Sequence, residues 1–256
     1  MKQMPGTTAL LVALCVVLTA LGALCGAVPG MATDASFYVD DSRLAVARYL
    51  GREVGDEGLS AFDEAAVTKY VGLTREEQTA FAAETARQMG QADATFELDI
   101  LNERERQHMR DVRDLVVLAG RVSSWSFSAV ALLIIAASWT GVYVQKRIRT
   151  GLLGVVCGLL VLALVAEVFV HAMNTAGFER LFVGMHELLF TNDLWLLNPR
   201  TDILIRMMPQ PLFEIALAKT LADALFRFAV VLAFLAGLYG VVGGMVRRNI
   251  TEREQA

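Results

Sequence analysis

The chain has 256 residues, a net charge of −4, and 55% hydrophobic against 20% charged residues. The mild negative charge gives no electrostatic footprint for nucleic acid. The apolar fraction exceeds the ~45–50% of soluble domains and the mean hydropathy is positive, which argues against a soluble protein. The apolar residues gather in long uncharged runs that alternate with charge-dense stretches, the pattern of a chain that crosses a bilayer.

The first run is Thr7 to Val28, closed by Pro29-Gly30. With Lys2 as a basic flank it can be read as a signal peptide, but it is long for one and long enough to span. Cys25 does not make it a lipoprotein signal, because Leu24 stands where such a signal needs a small residue. Residues 29–121 follow, with 18 Asp/Glu against 11 Lys/Arg from residue 30 on. Helices are predicted over Ser42–Leu50, stopped by Gly51, over Ser60–Val71, and from Thr74 to about Met89. Thr74-Arg-Glu-Glu77 has the form of a capping box, with each end satisfying an amide of the other. A longer helix is predicted from near Phe96 into the second apolar run. Its apolar stripe is Leu98, Leu101, His108, Met109, Val112, Leu115, Val116 and Ala119, at steps of three and four.

Further apolar runs cover Val122–Val144, Gly151 to about Ala172, and Phe228–Val246, each long enough for a hydrocarbon layer of ~30 Å. Lys2, the Lys146–Arg149 cluster, Arg247, Arg248 and Arg253 then share one side, which the distribution of basic residues makes cytoplasmic. The predicted architecture is an all-α membrane protein with four transmembrane helices, a mostly helical extracytoplasmic domain, and an interfacial or re-entrant segment before the fourth span. Its parts are residues 1–28 (first span), 29–121 (extracytoplasmic helices), 122–172 (second and third spans with a short cytoplasmic loop), 173–227 (extracytoplasmic interfacial segment), and 228–256 (fourth span and cytoplasmic tail). Both termini are cytoplasmic in this reading.

The 173–227 segment is apolar but broken. Phe178, Leu181, Phe182, Met185 and Leu189 share a helical face. Turn formers then interrupt the pattern at Thr191-Asn-Asp-Leu-Trp-Leu-Leu-Asn-Pro199, before a short apolar piece at Asp202–Met208 ended by Pro209 and Pro211. Polar loop residues at membrane depth are tolerated where they line a cavity or pack on protein. Asn192, Asp193, Asn198 and Asp202 are therefore expected to line something, with Trp195 at interfacial depth.

The sequence has three histidines. Asp111 follows His108 by one helical step, close enough to orient its imidazole. On spacing alone His108 reads first as a packing histidine with a charge partner, and second as a catalytic one. His186, among Phe and Met at membrane depth, reads equally as packing or functional. His171, a turn after Glu167, fits a structural hydrogen bond better than a proton relay. Cys15, Cys25 and Cys157 all lie in apolar runs, so neither a disulfide framework nor a metal cluster is indicated. No His-Glu-x-x-His, Walker or Gly-x-Ser-x-Gly spacing occurs.

Two stretches together carry a resemblance. They are Glu105-Arg-Gln-His108-Met-Arg-Asp111-Val and the run from His186-Glu-Leu-Leu-Phe190 through Asn192-Asp193-Leu-Trp195 and Asn198-Pro-Arg-Thr-Asp202 to Pro209. This combination resembles the lipoprotein intramolecular transacylase family of four-span bacterial membrane proteins. The resemblance implies an O-to-N acyltransferase that moves the sn-2 acyl chain of a diacylglyceryl-modified lipoprotein onto the α-amine of its N-terminal cysteine, giving the lyso form. It implies a lipoprotein partner in the plasma membrane and no cofactor or metal, since ester-to-amide transfer runs downhill. His186 is expected as the base and His108, oriented by Asp111, as electrophile or proton donor, in roles that can be exchanged. Asn192, Asp193, Trp195, Asn198 and Asp202 are expected to support them. The competing readings are another outer-leaflet lipid acyltransferase or hydrolase, and a non-catalytic membrane adaptor.

Overall fold

A computed structural model describes residues 5–52, 58–139 and 177–255. The predicted third span, His171, Glu167 and Cys157 lie outside the described residues. Every regular element among the described residues is helical. Helix α1 spans Pro5–Ala32, α2 Ser42–Tyr49, α3 Ala61–Val71, α4 Arg75–Met89 and α5 Glu103–Trp139. Helix α6 spans Phe178–Leu189, α7 Ile203–Met207 and α8 Gln210–Gln255. A π-helical turn, Phe37–Asp41, leads directly into α2.

The chain divides into two compact units. One contains Met1–Cys25, Val122–Val168 and Ala222–Ala256; the other contains Gly26–Arg121 and Phe169–Leu221. In the first unit, Ala23, Phe228 and Leu232 are buried together, with Val16 and Ala20 against them. Gly22 lets two helices approach closely. A Cβ at this position would come within 3.2 Å of the Phe127 ring, and the Ser123 hydroxyl donates to the Gly22 carbonyl at 2.7 Å. Small residues paired with a serine hydrogen bond are a usual means of packing helices in lipid.

Two described helices are long and apolar enough to cross a membrane, Leu10–Ala32 and Glu103–Ala136. In the second, charges continue as far as Arg121, so the spanning part begins at Val122. Only 22% and 11% of their apolar windows are buried. Leu10, Val17, Trp125, Leu132 and Ile135 are openly exposed, a surface suited to lipid and costly in water. The predicted fourth span falls on α8, which continues through it. Pro29 sits inside α1 rather than ending it.

The second unit is built around a core that includes Phe37, Val46, Val71, Phe81, Met89, Phe96, Leu101, Met109 and Met207. Its short helices carry the stop and start signals their sequences announce. Ser60 caps α3 by accepting from the Asp63 amide. Thr74 and Glu77 form the expected capping box on α4. Gly72 ends α3 at φ +80°, a left-handed conformation that disfavours any Cβ, and the Arg206 guanidinium lies 3.3 Å from where one would stand. Gly72→Ala is expected to cost ~1–2 kcal/mol, read as a lowered apparent melting temperature of the detergent-solubilised protein.

Helix α5 does not begin near Phe96. Phe96 has φ +54°, outside the helical region, and its amide donates to Gln88 Oε1 at 2.7 Å. The segment before α5 is held against it by arginines that reach backbone carbonyls: Arg106 to Leu98 at 3.2 Å, Arg110 to Thr95 at 3.0 Å, and Arg113 to Ala94. Leu98 and Leu101 therefore join the core from a loop, and the helical stripe starts with His108 and Met109.

Candidate active site

Asn102 and Glu105 determine where α5 starts. The Asn102 side chain accepts from the Glu105 amide at 3.0 Å, and the Glu105 carboxylate accepts from the Asn102 amide at 2.9 Å. This is a second reciprocal cap, built with Asn in place of Thr. The other Glu105 oxygen accepts from the Leu204 amide at 2.7 Å, at the first turn of α7. One carboxylate thus joins the N-termini of two helices, and its side chain is 1% exposed. Burial raises its pKa, while the hydrogen bonds to the Leu204 and Asn102 backbone oppose the rise. Asp202 reinforces the junction, accepting from the Asn102 side chain at 3.0 Å, from the Asn198 amide at 2.7 Å and from the Thr201 hydroxyl at 2.9 Å.

His108 lies one turn beyond Glu105, and His186 lies on α6. Both are buried, 7% and 5% exposed, and their ring centroids are 6.1 Å apart. Phe190 contacts both rings, at 5.2 Å from His108 and 5.4 Å from His186. Phe182 and Trp195 pack against His186 at 4.1 and 4.9 Å. Two imidazoles thus face each other inside an aromatic collar.

Their hydrogen bonding differs. His186 Nδ1 lies 2.7 Å from the Phe182 carbonyl. A carbonyl can only accept, so Nδ1 carries the proton and neutral His186 keeps its lone pair on Nε2. His108 Nδ1 is buried without a hydrogen-bond partner among the described residues. Burial lowers the His108 pKa to about 4, with His186 pushing the same way and Asp111 opposing. Burial also lowers the pKa of His186, against the pull of the Phe182 carbonyl. Both rings are therefore neutral near pH 7.

Asp111 does not orient His108 by a hydrogen bond. Its carboxylate accepts from Gln107 Nε2 and from Asn192 Nδ2, each at 2.9 Å, and reaches His108 only as a nearby charge. Asp193 contributes its backbone carbonyl, which accepts from Arg104 at 3.1 Å. Asn198 caps its own turn, accepting from the Arg200 amide at 3.0 Å. Of the five loop residues singled out from the sequence, Trp195 alone touches an imidazole, while Asn192, Asp193, Asn198 and Asp202 shape and anchor the loop. Glu105, Phe182 and Phe190 were missed. Glu105 had a legible signal, the Asn-x-x-Glu spacing at the start of an apolar stripe; the two phenylalanines had none beyond helical spacing from His186. No cluster of three or more His, Cys, Asp or Glu gathers as a metal site among the described residues.

The family model for the lipoprotein intramolecular transacylase Lit matches residues 60–213, which include both histidines and the collar. The chain belongs to the Lit family. It is accordingly an acyltransferase that acts on lipoproteins, and a membrane protein. The fold is similar to that of the membrane integral lipoprotein intramolecular transacylase Lit from Bacillus cereus, with TM-score 0.65 and 17% identity over 98% of this chain and 100% of that one. Two structures of the Bacillus cereus protein in which one histidine is replaced, by arginine or by alanine, give TM-scores of 0.64 and 0.63, also at 17% identity. They cover 95% of this chain and 96% and 97% of theirs. No match is found among curated protein sequences. The Lit-family assignment fixes the reaction class.

Proposed function

We propose that His186 and His108 form the catalytic pair of an intramolecular O-to-N transfer, in which the sn-2 acyl chain of a diacylglyceryl lipoprotein passes to the α-amine of its N-terminal cysteine. The observation that carries this reading is the neutral, tautomer-fixed His186 facing a second buried imidazole at 6.1 Å. A substrate group between the rings could hydrogen-bond both, at ~2.6–3.2 Å each.

The amine nitrogen attacks the ester carbonyl carbon, and the carbonyl π pair moves onto oxygen. His186 Nε2 takes the proton that the amine gives up. When the C=O bond re-forms, the bond from acyl carbon to the glycerol sn-2 oxygen breaks, and that oxygen leaves with a proton delivered by the imidazole pair. Ester and amine become amide and alcohol with no outside reagent. Amine and ester belong to one molecule, so holding them together supplies much of the rate.

In the same reading four spans carry the site, both termini are cytoplasmic and the pair lies on the extracytoplasmic face. Helix α6 lies at the outer-leaflet boundary, because Met185, Leu188 and Leu189 project exposed from it and Leu196 from the loop beyond. The lipid surface then supplies the substrate. Expression in a bacterium lacking lipoprotein N-acylation, followed by mass spectrometry of lipoprotein amino termini, tests the reading. The N-acyl S-monoacylglyceryl form is expected, and its absence from cells with correctly inserted protein counts against it.

The pH profile gives a second test. A free α-amine titrates at ~7.7–8.0, whereas burial holds both histidines below their ordinary value, His108 at about 4. With folded pKa values depressed, both imidazoles stay unprotonated to lower pH than an ordinary histidine would, His108 down to about 4. kcat/KM is therefore expected to fall tenfold per pH unit below ~7.7 from the amine alone. A slope that steepens through pH ~6.5 and approaches two about a unit below it would mean an essential histidine of ordinary pKa.

A further inference from the structure

Attack on an ester places negative charge on the carbonyl oxygen, and an acyl-transfer site needs a donor aimed at it. Three aromatic side chains contact the imidazole pair, and two are phenylalanines. Packing alone would be served by a third, yet the position holds Trp195, the one collar residue with a polar hydrogen. Apart from the ring N–H of His108, which belongs to the imidazole pair itself, the other side-chain donors nearby make hydrogen bonds: Asn192 Nδ2 with Asp111, Asn102 Nδ2 with Asp202, and His186 Nδ1 with the Phe182 carbonyl. The indole N–H of Trp195 has no acceptor among the described residues. Trp195 is half-buried and its indole nitrogen is not sealed from outside, so the N–H is open to a group that enters beside His186.

The geometry points to the Trp195 indole N–H as an oxyanion donor: we propose that Trp195 is a catalytic residue, binding the carbonyl oxygen of the sn-2 ester as it becomes negative beside His186. This rests on the histidine-pair reading and adds to it the group that holds the developing charge. As the amine adds, the π pair settles on the oxygen facing Trp195. As the C=O bond re-forms and the sn-2 oxygen departs, the charge leaves that oxygen and the indole bond relaxes. The indole never exchanges its own proton, so no further reagent is involved.

Two substitutions separate the N–H from the ring. Trp195→Phe keeps an aromatic face on His186 and removes the donor. Benzothienylalanine at position 195 keeps the full bicyclic shape and replaces N–H with sulfur. Both are assayed in the purified full-length protein against a synthetic diacylglyceryl-cysteine lipopeptide, beside His108→Ala and His186→Ala. Loss of a single oxyanion donor costs ~100- to 1,000-fold in kcat, so both Trp195 variants are expected to lose that much with KM nearly unchanged. A role limited to packing would instead leave the benzothienyl enzyme active. That outcome, or near-normal kcat in Trp195→Phe, overturns the proposal even if the histidine variants are dead. If the histidine variants retain full activity, the imidazole-pair reading itself fails.

Discussion

His186→Ala is expected to lower kcat for lyso-lipoprotein formation by three orders of magnitude or more, with the fold retained. General-base catalysis contributes ~100- to 10,000-fold, and the hydrogen bond from Nδ1 to the Phe182 carbonyl makes Nε2 of this ring the prepared acceptor. His108→Ala is expected to fall in the same range for a different reason. Its Nδ1 is buried with no hydrogen-bond partner among the described residues, so the native state bears the cost of an orphaned polar atom, ~1–3 kcal/mol. Removing that atom should therefore leave stability unchanged or improved while activity collapses. In the proposed mechanism the two rings act on one reacting group, so the double variant should lose little beyond either single one. The measurement is kcat on a diacylglyceryl lipopeptide together with apparent melting temperatures. A double variant whose losses simply multiply would show that the two histidines act independently.

Glu105→Ala is expected to show the opposite balance, with stability falling first and activity following. The carboxylate satisfies the Asn102 amide and the buried Leu204 amide at once. Losing the cap costs ~1 kcal/mol, and leaving the buried amide unpaired costs a further ~1–3 kcal/mol, so ~2–4 kcal/mol in all. Glu105→Gln should recover little, because its single carbonyl oxygen cannot serve both amides and its NH2 would face a donor. Thermal unfolding of the solubilised variants checks this. A Glu105→Gln protein as stable as the parent would mean that neither amide depends on the second oxygen.

These two cases show what the sequence could and could not reveal. His108 was legible because it interrupts an apolar helical stripe, and His186 because a histidine among Phe and Met must be accounted for. Thr74–Glu77 was legible as a cap because both partners lie within one turn. Asn102–Glu105 follows the same rule, yet Glu105 was passed over as part of the charged run Glu103-Arg-Glu-Arg106. Its second bond, to Leu204, a partner 99 positions away, leaves no local trace in the sequence. Asp111 acts on His108 as a nearby charge, but its hydrogen bonds go elsewhere. Its spacing from His108 allowed a contact, but spacing cannot register competition from Asn192, 81 positions on. The early start predicted for α5 failed at Phe96, whose left-handed backbone leaves no trace in hydrophobic periodicity. Local rules read the Thr74 cap correctly, while the residues around the imidazole pair are tied mainly by partners distant in sequence.

The chain between α6 and α8 is fastened unequally at its two ends. At Asp202–Leu204 it is tied by a buried carboxylate and a group of hydrogen bonds around Asn102. At Asn192–Asp193 it is tied by two bonds on exposed residues, from Asn192 to Asp111 and from Arg104 to the Asp193 carbonyl, each contributing ~0.5–1.5 kcal/mol. The energy needed to lift Trp195 away from His186 is therefore set by the outer fastening and the ring contacts, while the inner one serves as a fixed pivot. The outer stretch that carries Trp195 is thus held by fewer and more exposed bonds than the junction that anchors His108's helix.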